Sequence, residues 1–230
     1  MPHFSKFPFT KRFLFVTGYA LFCLVLLVAR PLFLDSSMHR FLAWNLWLAW
    51  IPFALTWVVY YARRLHPIAA WPVLVVWLLF LPNTWYLVTD LVHLLFHPYI
   101  YLVQGRASMT YWYDLFMLFQ FALCGIALGY ASIHQVLRIY SQSLIGRYPA
   151  LFIVFISMLS GFGVYLGRIQ RWNSWDVLHE PLQVLQEMLL SVTFQHLKLS
   201  LVFGIFIAMS YFLIQGLTAT DSHDPPKQNR

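Results

Sequence analysis

The chain has 230 residues, of which 60% are hydrophobic, 19% aromatic and only 10% charged. A soluble domain carries about a quarter charged residues, so this composition excludes an ordinary soluble protein and predicts an integral membrane protein. The net charge of +7 does not indicate nucleic-acid binding, because the basic residues flank apolar segments instead of forming one patch.

Apolar segments of about 20 residues are long enough to cross a bilayer as helices. The chain contains about six of them, which predicts an all-α integral membrane protein built as a bundle of transmembrane helices. The predicted spans are 12–33, 41–62, 68–87, 113–136, 149–167 and 199–217. Residues 1–217 are therefore expected to form a single polytopic membrane domain, and the polar residues 218–230 a disordered tail.

The first span follows a basic stretch, as the apolar part of a signal peptide would. Its apolar run is long, from Phe13 to Ala29, and no small-x-small cleavage pattern follows it, which favours an uncleaved helix. Cys23 and Cys124 lie inside apolar runs and form no C-x-x-C pair. Both are therefore predicted to be buried and not to bind a metal.

Lys and Arg predict the orientation of the bundle, because they accumulate in cytoplasmic loops. They are more numerous on the side that carries the N-terminus, which predicts that both termini are cytoplasmic. Short interfacial helices are expected on the opposite, extracytoplasmic side, among them an amphipathic segment at 181–192. The three segments that carry conspicuous polar residues also end on that side.

The first of these segments closes the third span. Pro82 is expected to break the helix, and Asn83 is suited to cap a new one. A polar stripe then follows at helical spacing: Tyr86, Asp90, His93 and His97. Two interpretations stay open: Asp90 and His93 bind a divalent metal ion, since zinc accepts imidazole and carboxylate ligands, or the stripe is the polar face of an interfacial helix.

The other two segments supply an acid and two arginines. Asp114 begins the fourth span and either caps that helix or joins a site with Asp90. Arg168 and Arg171, three residues apart, are predicted to share a helix face if the fifth span continues as far as Arg171. Guanidinium groups bind carboxylates and phosphates, so the arginines either pair with acids such as Asp90, Asp114 and Asp176 or hold an anionic ligand such as a lipid phosphate.

Two glycine pairs at a spacing of four residues, Gly125/Gly129 and Gly163/Gly167, predict close helix packing in the fourth and fifth spans.

The chain resembles a known family at four motifs. These are Leu81-Pro82-Asn83, Tyr86 with Thr89-Asp90, Trp112-Tyr113-Asp114, and Gly167-Arg168 with Arg171-Trp172-Asn173-Ser174-Trp175-Asp176. On these residues it is similar to the uncharacterised bacterial membrane proteins grouped as domain of unknown function 1361. The resemblance implies a location in the bacterial cytoplasmic membrane and no particular activity.

Three functions are compatible with this sequence. In the first, the polar cluster is a membrane-surface active site for an anionic or lipid-borne substrate. Its catalytic residues are expected to be Asp90, His93, Asp114 and Asp176, and a metal ion, if one takes part, is expected at Asp90 and His93. Its substrate-binding residues are expected to be Arg168, Arg171, Asn83, Asn173 and Tyr86. In the second, the cluster is a structural set of ion pairs or binds a partner, which is a membrane protein or a second copy of the chain. The third is a small transporter component, and in all three the surrounding partners are membrane lipids.

Overall fold

A computed structural model of the chain describes residues 10–34, 39–96, 98–172 and 193–219, together with residues 179, 182 and 186. The described part is helical apart from one two-stranded hairpin, and six of its helical stretches are long and apolar enough to cross a membrane. The helices are α1 (Thr10–Phe33), α2 (Phe41–Leu65), α3 (Ala70–Phe80), α4 (Pro82–Thr89), α5 (Pro98–Tyr101), α6 (Met109–Ile139), α7 (Leu144–Arg147), α8 (Pro149–Tyr165) and α9 (Phe194–Ala219). The six-span prediction is confirmed.

The third span is composite and longer than its apolar run predicts. A 3₁₀ turn at Pro67–Ala69 leads into α3, α4 follows, and a 3₁₀ segment continues from Asp90 to Leu95. The expectation that Asn83 caps a new helix is wrong, because α4 begins at Pro82 and Asn83 lies inside its first turn. The Asn83 side chain instead donates to the carbonyl oxygen of Phe80 at 3.0 Å, beside the proline that lacks a backbone donor.

The fourth span begins earlier than predicted. Ser108 is the N-cap of α6, and its hydroxyl accepts from the N–H of Tyr111 at 3.2 Å. Asp114 therefore lies in the second turn and does not cap the helix. Before α6, the strands β1 (Leu102–Val103) and β2 (Arg106–Ala107) form a short antiparallel hairpin.

Helix α4 lies at the centre of the packing, between α6 and α8. A Cβ added at Gly125 or Gly129 of α6 would lie 2.2 Å from the carbonyl oxygen of Thr84 or 2.5 Å from the ring of Trp85. On the opposite side, a Cβ at Gly163 of α8 would lie 2.4 Å from Pro82. The prediction that these glycines allow close packing is confirmed, and the shared partner is α4.

The remaining spans surround this centre. Helices α1 and α2 pack on α6, while α8 and α9 form an antiparallel pair on the other side of α4. Cys23 and Cys124 are both fully buried, as predicted. Helix α9 continues to Ala219, slightly into the predicted tail; residues 220–230 and nearly all of the predicted helix at 181–192 lie outside the described residues.

We name one end of the bundle the Asp90 end. It is the end at which α1, α4 and α8 finish and at which α2 and α6 begin. The three polar segments singled out in the sequence meet here.

Candidate functional site

Asp90 is fully buried at the start of the 3₁₀ segment and is held from two sides. Its Oδ1 accepts a hydrogen bond from Nη2 of Arg168 at 2.6 Å, and its Oδ2 accepts one from Nδ2 of Asn45 at 2.9 Å. A buried carboxylate needs a charge partner and satisfied oxygens, and Asp90 has both. It therefore joins α2, α4 and the end of α8 in one contact.

Arg168 is fixed by further contacts. Its Nε donates to the hydroxyl of Thr89 at 2.9 Å, and its guanidinium carbon lies 4.3 Å from the centre of the Tyr86 ring. The Tyr86 hydroxyl donates in turn to the carbonyl oxygen of Gly167 at 3.3 Å. A Cβ at Gly167 would lie 3.1 Å from that ring, so the glycine lets the end of the fifth span lie against α4. Arg168 is thus oriented by an ion pair, a hydrogen bond and a cation–π contact.

Arg168 lies in a π-helical segment, Leu166–Gln170, that ends the fifth span. Single π turns are rare and often occur at functional sites. The next residue, Arg171, has φ 61° and ψ 27°, the left-handed conformation. Left-handed backbone costs a non-glycine residue about 1–2 kcal/mol, so the fold holds an arginine where glycine is usual.

His93 lies one 3₁₀ turn beyond Asp90 and is half-buried. Its Nδ1 is 2.8 Å from the carbonyl oxygen of Asp90. A carbonyl oxygen only accepts hydrogen bonds, so Nδ1 must carry the proton. In the neutral ring, Nε2 then bears the lone pair.

The 3₁₀ geometry changes which residues share a face with His93. With three residues per turn, side chains at i and i+3 lie in line, so Asp90, His93 and Phe96 form one column. The rings of His93 and Phe96 are 5.6 Å apart. The predicted α-helical stripe would have continued from His93 to His97, a residue outside the described part of the chain.

A second buried ion pair lies beside the first. Nε and Nη2 of Arg30 donate to the two carboxylate oxygens of Asp114 at 2.6 and 2.8 Å, and both residues have no exposed surface. The Tyr101 hydroxyl also donates to Asp114, at 2.9 Å. Burial and the neighbouring carboxylate raise the pKa of Tyr101, so its hydroxyl stays protonated. The prediction that Asp114 pairs with an arginine of the fifth span is wrong, because α6 faces α1 at this level.

His39 lies between the Arg30–Asp114 pair and His93. Its Nε2 is 3.1 Å from the Tyr101 hydroxyl oxygen and 3.4 Å from Oδ2 of Asp114. Because the Tyr101 proton is donated to Asp114, Nε2 of His39 must be a donor. The ring of His39 also meets that of His93 edge-on, with 6.4 Å between centroids.

An open cleft of about 380 Å³ lies at the Asp90 end. Its described lining is Tyr86, Val92, His93, Phe96, Gly167, Arg168 and Arg171. This lining contains two arginines and a histidine but no carboxylate, because Asp90 is buried. The end of the fifth span contributes the two arginines to the described lining, and the 3₁₀ segment with the residue after it contributes His93 and the apolar side chains of Val92 and Phe96.

A divalent metal ion does not fit the described donors. Both oxygens of Asp90 are engaged by Arg168 and Asn45, and Nδ1 of His93 faces a carbonyl 2.8 Å away. Across the described residues, no group of three or more His, Cys, Asp or Glu side chains converges. A metal at Asp90 and His93 stays a prediction that this geometry does not favour.

The structure brings several predicted site residues together. Tyr86, Asp90, His93, Arg168 and Arg171 lie at or directly beneath the cleft, whereas Asp114 lies in the neighbouring ion pair. Asn83 is seven residues before Asp90, roughly 10 Å away along the helix at 1.5 Å per residue, and does not line the cleft. Asn173 and Asp176 lie outside the described residues.

Four residues that contact the buried acids Asp90 and Asp114 were not identified from the sequence. Arg30, His39, Asn45 and Tyr101 each belong to a helix end or connection that carries no motif of its own. A signal did exist for Arg30, because an arginine at the end of an apolar span requires a counter-charge. The identity of that counter-charge depends on which helices are neighbours.

The fold and the site together define a class, a six-span all-helical membrane protein with paired buried charges at one end. The profile of the family described as "Protein of unknown function (DUF1361)" matches residues 44–210, and the chain belongs to this family. The matched segment includes both ends of the Asp90–Arg168 contact, whereas Arg30 and His39 precede it. Searches against curated proteins and against solved structures gave no match.

Proposed function

We propose that this membrane protein binds the phosphate or carboxylate group of an anionic ligand in the cleft at the Asp90 end. One observation carries the proposal: the described lining holds Arg168, Arg171 and His93 and no carboxylate. Buried Asp90 balances the charge of Arg168, and Asp114 is paired with Arg30, so the charge of Arg171 is in excess over the described acids. A cleft with excess positive charge and no carboxylate favours an anion.

The residues have separate roles in this proposal. Arg171 is exposed and forms no ion pair with a described acid, so it supplies the main charge. Asp90 and Tyr86 position Arg168, whose guanidinium adds a second donor. Asp114 and Arg30 form a structural ion pair beside the cleft, which we name the clamp. For these two residues, the proposal keeps the structural role that the second hypothesis gave to the cluster.

A second candidate function is acid–base catalysis on the bound anion. It is favoured by the hydrogen bond from His93 to the Asp90 carbonyl oxygen, which leaves Nε2 unprotonated in the neutral ring. His93 is the titratable imidazole of the described cleft lining. In this candidate Asp90 acts through Arg168 and the orientation of His93, not on the substrate.

The proposal places the cleft on the extracytoplasmic face of a bacterial cytoplasmic membrane. It rests on the distribution of Lys and Arg among the loops. With both termini cytoplasmic, the ends of α1, α4 and α8 face outward. Membrane lipids are then neighbours of the cleft, and a protein partner or a second copy remains a prediction.

The test measures binding of methyl phosphate to the protein purified in a neutral detergent. Arg171→Asn removes the guanidinium, while asparagine tolerates the left-handed backbone. Arg106→Asn is the matched control, because it makes the same charge change at an exposed position of the hairpin. Saturable thermal stabilisation by the anion measures affinity through linkage.

We expect methyl phosphate to stabilise the wild type and Arg106→Asn alike, and Arg171→Asn to bind about tenfold more weakly. The loss of one charge-assisted hydrogen-bonding group costs about 1.5–3 kcal/mol, which corresponds to at least that factor. Equal affinity of all three proteins, or no stabilisation of the wild type, would contradict the proposal.

A further inference from the structure

We infer that the ligand of this cleft is an amphiphile, with its anionic group at Arg168 and Arg171 and a hydrocarbon chain along Val92 and Phe96. This inference rests on the proposed anion site and adds the chemical class of its ligand. Val92 and Phe96, contributed by a different segment from the arginines, belong to the lining of the same cleft. We refer to these two side chains as the apolar wall and to the two arginines as the cationic wall. A soluble anion would need only the cationic wall.

The apolar wall follows from the 3₁₀ segment. In this segment the column that begins with buried Asp90 and half-buried His93 continues with Phe96, which is 60% exposed. An α-helix would have brought His97 to that position. The change of helix type therefore places an aromatic ring beside the imidazole, at the open edge of the cleft.

The wall continues outward along the same segment. Val92, in the lining, and Leu95, next to it, are 36% and 75% exposed. These residues end a span that crosses the membrane, so they lie where headgroups meet hydrocarbon. A chain leaving the cleft along them enters the bilayer, whereas the arginines stay at the level of the headgroups.

The charge of the arginines and the exposed apolar side chains beside them together favour one occupant, a lipid-borne anion. The arginines match the headgroup, and Val92 and Phe96 supply exposed apolar surface in the same lining, beside His93. The observation does not distinguish a phosphate from a carboxylate headgroup, and both are amphiphilic anions of the same class.

The experiment compares dodecyl phosphate with methyl phosphate, which share a headgroup and differ in the chain. Phe96→Ser removes the outermost part of the apolar wall without altering a charge. Met109→Ser is the control, because Met109 is 82% exposed at the same end of the bundle and does not line the cleft. Detergent concentration is held constant, so dodecyl phosphate partitions into micelles equally for every protein.

We expect Phe96→Ser to bind dodecyl phosphate about tenfold more weakly than wild type, since covering an aromatic side chain is worth at least that factor. Its affinity for methyl phosphate and the behaviour of Met109→Ser should not change. Unchanged methyl phosphate binding also shows that the variant is folded.

Each other outcome has a distinct meaning. If Phe96→Ser leaves both affinities unchanged, the amphiphile inference is wrong and the anion site stands. If it weakens both ligands equally, Phe96 supports the anion site and the inference is again wrong. If neither ligand binds the wild type, the proposed function itself fails.

Discussion

Arg30 and Asp114 show how a charged pair is accommodated inside the bundle. The guanidinium and carboxylate meet through two hydrogen bonds, and Tyr101 satisfies a further lone pair. Two charges removed from water repay their desolvation only with such geometry. The pair therefore specifies how α1 meets α6, and it contributes less net stability than its Coulomb attraction suggests.

The pair predicts that removing one partner destabilises the protein more than removing both. Arg30→Met should lower the free energy of unfolding by about 3–5 kcal/mol, because it leaves Asp114 buried and charged without its main partner. Arg30→Met combined with Asp114→Leu should be less destabilised than Arg30→Met alone. Thermal unfolding in detergent measures both.

Arg40→Met is the control for these variants, since Arg40 is exposed one residue after His39. It should unfold like the wild type. A double variant less stable than Arg30→Met would show that the clamp is worth more than its desolvation cost.

At the scale of elements, the position of α4 between α6 and α8 brings the site residues together. This eight-residue helix is approached by Gly125 and Gly129 of α6 at Thr84 and Trp85, and by Gly163 of α8 at Pro82. The close approach brings the end of α8 within reach of Asp90. Glycine at these positions is therefore a condition for the Asp90–Arg168 contact.

Glycine-to-alanine changes in two helices should have opposite effects. In Gly125→Ala the added Cβ would lie 2.2 Å from the Thr84 carbonyl oxygen, so α4 or α6 must shift. Such overpacking costs about 1–3 kcal/mol, and we expect a lower unfolding temperature in detergent. Gly18→Ala, with nothing within 4 Å of its Cβ, should be neutral or stabilising by about 1 kcal/mol.

If the two alanine variants unfold alike, the glycine face of α6 is not what sets the position of α4. The same preparations should be tested for methyl phosphate binding. Weaker binding by Gly125→Ala, at a temperature where it remains folded, would link the packing of α4 to the cleft.

At the scale of the whole molecule, the arrangement of charges predicts which face carries the cleft. Val103→Cys lies in the exposed hairpin at the Asp90 end, and Gln142→Cys in the exposed turn after α6 at the other end. In intact cells we expect a membrane-impermeant maleimide to label the first and, only after permeabilisation, the second. Native Cys23 and Cys124 are fully buried and should give little background.

The opposite labelling pattern would place the cleft on the cytoplasmic side. The anion site would be unaffected, but its ligand would then come from the inner leaflet. Labelling of both positions in intact cells would show a leaky preparation, which an impermeant reagent against a cytosolic marker protein identifies.

The sequence by itself determined the class of this protein, its six spans and some of the residues that meet at one end, among them Asp90 and Arg168. The long apolar runs predict membrane-spanning helices. A charged side chain at the end of such a span needs a partner, so Asp90 and Arg168 could be identified as site residues from the sequence. The tertiary structure decided the pairing. Asp114 faces Arg30 because α6 packs on α1. Residues 90–95 form a 3₁₀ segment, so Phe96 and not His97 lies on the same face as His93. Both depend on contacts between distant segments, which the local pattern of one helix does not contain.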